Sequence, residues 1–307
     1  ARLCEKAIKT GIVKIHKLAG IDIGSNSVRL LVSNVIETKD QVIFKKSSLT
    51  RLPIRLGSDS FGDGNIGLEN RERLLSGMLA YRKIMDIHGV EKYRACATSA
   101  LREAKNGLQV VDEIYKETGV NIELISGKEE ARMIFSSDML GNLINQEGSF
   151  LYIDVGGGST ELTLFHNKTI LASRSFKIGT IRLLNGLVKK NRWTEMEEWI
   201  KESTNGLSDI LMVGSGGNIN RTFKLSQKLK GEYMSLIDLK KIKLDLKALE
   251  NDERMIVYDL NPDRTDVIIH ALKIYTSAME LAGSENMIVP KKGLADGIVR
   301  YLYREHY

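Results

Sequence analysis

Three short glycine-rich segments stand out in this 307-residue chain: Gly24-Ser25-Asn26-Ser27, Gly156-Gly157-Gly158-Ser159 and Gly214-Ser215-Gly216-Gly217-Asn218. Each follows an apolar run. Glycine lets backbone N–H groups converge on an anion with no Cβ in the way, and serine hydroxyls add neutral donors. Tight-turn geometry explains any one such loop equally well, but three after strand-like runs point to phosphate binding. Carboxylates stand beside them. Asp22 and Asp154 end apolar runs, where an acidic residue is costly without a task, and Glu161 follows Asp154 by seven residues. Asp22, Asp154 and Glu161 are therefore candidate holders of a hard cation, through water and phosphate oxygens. Glu129 and Glu130 open a helix after Gly127-Lys128. Either suits accepting a proton from an attacking water, and both complement the helix dipole. Lys128, Arg102 and Arg182 are candidate cations for a polyanion.

The elements that must position these groups are of two kinds. Residues 18–23 and 28–35 flank the first glycine turn and read as a β-hairpin. A third β-rich stretch covers 41–56, the polar segment GSDSFGDGNIG follows it, and its Gly62, Gly64 and Gly67 read as a surface loop. Leu68, Leu75, Met78, Leu79, Ile84 and Ile87 then recur at helical spacing. A strand at 93–97 leads into a helix capped by Thr98 or Ser99, followed by a helix at 108–118 and a strand at 121–125. Ser126 precedes the acidic first turn of the next helix. The segment GNLINQEG, 141–148, is the expected hinge. Beyond it the opening pattern returns, with strands at 150–155 and 161–165 around the second glycine turn. Aligning IDIGSNSVRLL with IDVGGGSTELT sets Asp22 over Asp154 and Gly24 over Gly156, 132 residues apart. That spacing exceeds a solenoid repeat and indicates a duplicated domain. Helices at 181–188 and 195–207, a strand at 209–213 and a mainly helical remainder with a strand at 287–289 complete an α/β chain. The expected division is 1–142, with 1–17 an N-terminal extension, and 143–307.

Composition excludes several classes. Hydrophobic residues at 42% and charged residues at 27% rule out a disordered tail, a collagen or a coiled-coil rod. Cys4 and Cys96 build neither a disulfide framework nor a four-thiolate zinc site, which suits a reducing compartment. The five histidines show no paired ligand spacing, and no Walker A or G-x-S-x-G segment occurs. Gly62, Gly64 and Gly67 match G-x-G-x-x-G but lack the buried strand that a dinucleotide fold puts before it. No RNP-type aromatic stripe appears and positive charge is dispersed, so sequence-specific nucleic-acid binding is not expected. The net charge of +6 leans weakly toward an anionic partner. No apolar run approaches the roughly eighteen residues of a membrane span. The basic N-terminus lacks the apolar core of a secretory signal. A cytoplasmic, soluble protein with no membrane partner is expected.

IDIGSNSVRLLV, CATSALREAKNG, LISGKEEARMIF, YIDVGGGSTELTLF, FKIGTIRLL and MVGSGGNINRTF, in that order from about residue 18 onward, resemble the exopolyphosphatase and guanosine pentaphosphate phosphatase (Ppx/GppA) family. That family belongs to the actin-like ATPase superfamily. The resemblance implies two ribonuclease-H-like α/β domains facing each other across a cleft, and Mg2+-dependent hydrolysis of phosphoanhydrides. It implies that Glu130, or else Glu129, is the catalytic base, and that Asp154 and Glu161 hold Mg2+ and order the water. The loops Gly24, Ser25, Asn26, Ser27 and Gly156, Gly157, Gly158, Ser159 would hold terminal phosphates, with Arg102 reaching the same anion. Gly214, Gly216 and Gly217 would approach a nucleoside or distal phosphates. The implied substrate is polyphosphate or guanosine pentaphosphate (pppGpp), and a homodimer is compatible.

Two departures bear on these expectations. Family members often read G-L-R-[ED]-G where this chain has Gly293-Leu294-Ala295-Asp296-Gly297, which weakens an anion-binding role for that segment. Longer members continue into an HD-type helical domain and this chain stops before one, so processive handling of very long chains is not expected. The leading expectation is an exopolyphosphatase releasing terminal orthophosphate, with a pppGpp 5′-phosphohydrolase as the alternative. A non-hydrolytic polyphosphate or alarmone sensor is the alternative from another class, and a sugar kinase or chaperone-type ATPase is disfavoured.

Overall fold

The computed structural model describes residues 13–135 and 147–307. Most of the expected hinge at 141–148, residues 1–12 of the N-terminal extension and Cys4 lie outside the described residues. Strands β1 (Lys14–Ile23) and β2 (Val28–Glu37) form the expected hairpin, with Asp22 directly opposite Arg29. With β3 (Val42–Leu52), β4 (Lys92–Ala97) and β5 (Ile122–Leu124) they make a sheet of order β3-β2-β1-β4-β5. The second half repeats this plan. Strands β6 (Ser149–Val155), β7 (Thr160–His166), β8 (Thr169–Phe176), β9 (Leu211–Ser215), β10 (Met234–Ser235) and β11 (Asn286–Ile288) run in the order β8-β7-β6-β9-β11-β10. In each sheet the first strand pairs antiparallel with its hairpin partner and parallel with the strand on its other side. These are two ribonuclease-H-like lobes. Asp154 lies directly opposite Glu161, so Arg29 is the positional counterpart of Glu161 in the duplication.

Both sheets are covered on two faces, which is why β1 and β6 read as near-continuous apolar runs. In the first lobe α1 (Leu56–Gly62), α2 (Leu68–His88), α3 (Ser99–Glu103) and α4 (Gly107–Thr118) supply one side of a core that includes Ile21, Val28, Leu74, Met78 and Val110. The second lobe adds α6 (Thr180–Leu184), α7 (Lys190–Thr204), α8 (Gly217–Leu225), α9 (Leu236–Lys247), α10 (Asn251–Tyr258), α11 (Pro262–Thr265) and α12 (Ile268–Leu281). Its core gathers Leu151, Leu162, Met212, Phe223 and Leu272. Two further helices join the lobes: α5 (Gly127–Phe135) and α13 (Leu294–His306). Met133, Ile134, Leu294 and Ile298 share a core with Cys96 of the first sheet and Phe150, Tyr152 and Val213 of the second. Ala295, Val299 and Leu302 pack on Leu18, Leu31 and Val35. The sequence division places 143–307 in the second half, and within it α13 packs on the first sheet as well as on the second.

Other expectations are corrected by packing. The stretch GSDSFGDGNIG is helical over its first part, because Leu56, Gly57 and Ser60 are buried under the first lobe. In α2 the inward stripe is Leu74, Gly77, Met78, Tyr81 and Met85, while Leu68, Leu79 and Ile87 face solvent. Tyr81 decides that rotation by donating its hydroxyl to Val28 O at 2.9 Å and Thr50 O at 3.1 Å. Neither Thr98 nor Ser99 caps α3 through its side chain: Thr98 stands at the cap without such a bond, and Ser99 already lies inside the helix. Strand β8 is an exposed edge, so no buried stripe marks it in the sequence.

Glycines set the approach of the joining helices. A Cβ on Gly20 would lie 2.8 Å from Ala295 O, so β1 admits α13 only as glycine. A Cβ on Gly297 would collide with the Met133 carbonyl and come 3.0 Å from Ile134 N. The backbones of α13 and α5 therefore touch. Overpacking at such a site costs about 1–3 kcal/mol or more. Gly297→Val is expected to lower Tm by roughly 2–4 °C per kcal/mol and to displace α5 with the carboxylates at its start. A thermal melt read together with turnover checks both effects.

Candidate active site

The glycine loops and the carboxylates converge on one cleft of about 480 Å3 between the lobes. The Gly24 and Gly156 loops are closed identically, with Gly24 N–H donating to Ser27 O at 3.1 Å and Gly156 N–H to Ser159 O at 2.9 Å. They approach one another so closely that a Cβ on Gly157 would lie 2.9 Å from the Ser25 Cβ. Gly24, Ser25, Asn26, Ser27, Gly156, Gly157, Ser159, Gly216 and Gly217 all line the cleft. Gly158 and Gly214 do not. Gly158 is tucked under Phe61 and Ser99, and a Cβ on Gly214 would lie 2.6 Å from the Met287 sulfur, so these two serve packing.

Asp22, Glu130, Asp154 and Glu161 line the same cleft. Asp22 ends β1 and accepts from Arg29 Nη1 at 3.0 Å. Asp154 Oδ2 accepts from Ser215 Oγ at 3.0 Å and Tyr152 OH at 3.2 Å. Glu161 Oε1 accepts from Ser159 Oγ at 2.5 Å and Ser175 Oγ at 3.0 Å. The other oxygen of each of these two carboxylates has no protein hydrogen bond among the described residues. Glu130 sits in the first turn of α5, whose start is capped as expected: Ser126 Oγ accepts from Glu129 N–H at 3.2 Å. Glu129 turns away from the cleft and pairs with Arg94 at 3.2 Å. Among the described residues no group of three or more carboxylates, histidines or cysteines is gathered as for one metal ion, and Asp22 pairs with Arg29 at 3.0 Å.

Burial and mutual repulsion govern the charges. Burial first, then Glu161, Asp154 and Asp22, push the Glu130 carboxyl well above the usual range, with Arg102 opposing. Glu161 is raised by burial and by Asp154, and Asp154 by burial ahead of its hydrogen bonds. Asp22 is raised too, because burial outweighs Arg29. Four acids that resist ionising together leave the cleft short of positive charge at this wall.

The opposite imbalance occupies the rest of the cleft, and most of it was not legible in the sequence. Arg29, Arg51, Arg221 and Arg264 line one region, and Lys46, Lys224, Lys291 and Lys292 extend it. Arg264 is pulled down to about 10 by burial and then by Arg51 and Arg29. A guanidinium remains charged at that value, so an anion relieves the crowding. A β-bulge at Ser47, where the register shifts between Val32 and Ser33, turns Lys46 onto the face of Leu49 and Arg51. The cations proposed from sequence have other tasks. Arg182 donates to Gly158 O at 2.7 Å, pairs with Glu103 at 2.8 Å and lies over the Phe61 ring. Arg102 donates to Ile125 O at 2.5 Å and acts on Glu130 and Glu161 only through its field. Lys128 is exposed outside the cleft. Gly293, Leu294, Ala295 and Asp296 do line the cleft although the segment lacks arginine, with Asp296 held by Lys46 at 3.0 Å and Lys292 at 3.3 Å.

Two ribonuclease-H-like lobes, each opening with a hairpin around a glycine loop, face one cleft lined by carboxylates and define the class of the fold. The sequence profile of the Ppx/GppA phosphatase family matches residues 31–306, and the chain belongs to that family. It is 30% identical over 293 residues to the bifunctional 3-dehydroquinate synthase/phosphatase of Fusobacterium nucleatum, covering 88% of this chain and 44% of that protein. It is 26% identical over 294 residues to the guanosine-5′-triphosphate,3′-diphosphate pyrophosphatase of Aliivibrio fischeri, covering 91% and 58%. With exopolyphosphatase 2 of Mycobacterium tuberculosis the identity is 26% over 318 residues, covering 92% and 98%. The chain thus spans about half the length of the first two of these relatives and nearly all of the third. Among solved structures, the Aquifex aeolicus Ppx/GppA family member superposes with a TM-score of 0.73 at 24% identity, covering 96% of this chain and 100% of that one. An exopolyphosphatase from Cytophaga hutchinsonii gives 0.78 at 22% identity, covering 94% and 98%. Among the described residues no helix is long and apolar enough to cross a membrane.

Proposed function

We propose that the cleft hydrolyses the terminal phosphoanhydride of inorganic polyphosphate and releases orthophosphate. The observation that carries this reading is Glu130 beside Asp154 and Glu161 in a cleft that is also lined by two paired glycine loops and by arginine and lysine side chains. The terminal phosphate lies between the Gly24 and Gly156 loops, whose N–H groups stabilise the charge that develops on its oxygens. Glu130 accepts the proton of a water attacking in line, and the shortened chain leaves as the other product. Its raised affinity for protons suits a base that must hold one during the step.

The donor chemistry fits Mg2+ held by one or two carboxylates together with water and substrate oxygens, as this ion prefers. Asp154 and Glu161 would hold it through the oxygens that carry no protein bond, and when bound it supplies positive charge against the phosphate oxygens. Asp22 would act through Arg29 instead.

Polyphosphate is preferred to pppGpp because the cleft offers cations along its length while no aromatic ring lines it among the described residues. A purine is usually held by such a ring or an apolar slot. Phosphate release from short polyphosphate, long polyphosphate and pppGpp in the presence of Mg2+ tests the choice. Short polyphosphate is expected to turn over fastest. Equal or faster release from pppGpp reverses the preference, and tight binding with no release from any of the three makes the protein a sensor.

A further inference from the structure

We propose that Arg55 is a positioning residue that holds the first glycine loop in register with the second lobe through Asp266 and Asp263. Arg55 has left-handed backbone, φ 57° and ψ 41°, a conformation that a non-glycine residue keeps only when its surroundings enforce it. The main chain of Arg55 and of Gly57 grips the loop from outside. Arg55 N–H donates to Asn26 O at 3.2 Å, and Gly57 N–H donates to Ser25 O at 2.8 Å. Its side chain grips the other lobe. Arg55 Nη2 donates to Asp266 Oδ1 at 2.6 Å, Asp266 Oδ2 at 2.8 Å and Asp263 O at 3.1 Å. Asn26 Nδ2 reaches that same carbonyl at 3.4 Å, and Arg51 makes a two-pronged pair with the Asp263 carboxylate.

The receiving segment is itself anchored. Arg254 Nη1 donates to Thr265 O at 3.0 Å, while Arg264, between the two aspartates, enters the cleft and bonds Gly217 O. One short stretch, 263–266, therefore faces the first glycine loop on one side and the third on the other. Arg55 and Asp266 are about three-quarters buried, at 26% and 21% exposure, so solvent screens their pair less than a surface bridge. Amides on one lobe and carboxylates near the other must align to a fraction of an ångström for in-line attack, and the bracket supplies that alignment. The proposal rests on the hydrolytic reading above for the reaction, but not for the bracket itself.

Arg55→Gly separates positioning from folding, because glycine adopts the left-handed backbone without strain. It is expected to remain folded with a cooperative melt at a somewhat lower Tm, because the Asp266 carboxylate loses its partner, to lower kcat on short polyphosphate about 10-fold to 100-fold and to leave KM nearly unchanged. Asp266→Asn is expected to lower kcat similarly, and the double variant to be no worse than either single one. Hydrogen exchange without substrate is expected to quicken at 24–27 and 263–266 in both variants. Wild-type kcat in Arg55→Gly, or losses that multiply in the double variant, would overturn the proposal. If the wild type releases phosphate from no substrate, the hydrolytic reading fails. The bracket is then judged on exchange alone, and unchanged exchange rejects it.

Discussion

Glu130→Gln is expected to lower phosphate release by at least about 100-fold, since it removes the proton acceptor while keeping the side chain's size. Substrate binding should be nearly unaffected, as measured by ligand-induced protection from heating. The same variant should be more stable than the wild type in metal-free buffer. Glu130 is held well above the ordinary carboxylate value by burial and by Glu161, Asp154 and Asp22. A group whose folded-state value is raised stabilises the fold fully below the unfolded value near 4.5, and that contribution is lost as pH rises through the folded value. Wild-type Tm should therefore fall between mildly acidic and mildly alkaline pH, and Glu130→Gln should flatten the curve. The gap in Tm should be widest at the alkaline end. Turnover needs the ionised base, so the acid limb of kcat/KM should lie above the usual carboxylate range. Full activity in Glu130→Gln rejects the base, and a Tm gap independent of pH rejects its assigned charge state.

Asp154→Asn should be nearly as damaging, with phosphate release down by about 100-fold, for a different reason. Asparagine still accepts from Ser215 and Tyr152 at the oxygen that Asp154 Oδ2 occupies, so the fold of the β6 end is retained. What is lost is negative charge at a site proposed to face Mg2+. The expected signature is a higher Mg2+ concentration for half-maximal rate, with Glu129→Gln as a control that leaves that concentration unchanged. Glu129 is spent on Arg94 at 3.2 Å, away from the cleft. A Mg2+ dependence identical to wild type in Asp154→Asn, with the rate reduced, assigns Asp154 a purely electrostatic part.

Much of the site could be read from short segments. Asp22 lies beside the Gly24 loop, and Asp154 and Glu161 flank the Gly156 loop, so within each hairpin the groups are a few residues apart and their register is fixed by alternation and turn length. Arg29 was also accessible: the duplication that sets Asp22 over Asp154 sets Arg29 over Glu161, exchanging an acid for a base at one position of the two lobes. The remaining cations come from β3, α8, α11 and the segment before α13, and no local pattern connects them. Lys46 depends on a single bulge residue, without which it would face away from Leu49 and Arg51.

The sequence by itself determined the two hairpins, their glycine loops and the strand-end acids, because hydrogen bonding and sterics act over neighbouring residues. It also determined the family. Tertiary structure alone decided which glutamate of the 129–130 pair faces the cleft. That choice is a rotation of α5, set where the backbones of α5 and α13 touch at Gly297 and where Arg94 waits for Glu129. It likewise decided that Arg182 and Arg102 serve the scaffold, and that the last helix returns to the first lobe. A charge takes its role from the partners that packing brings within reach, and those partners lie up to hundreds of residues away in the chain.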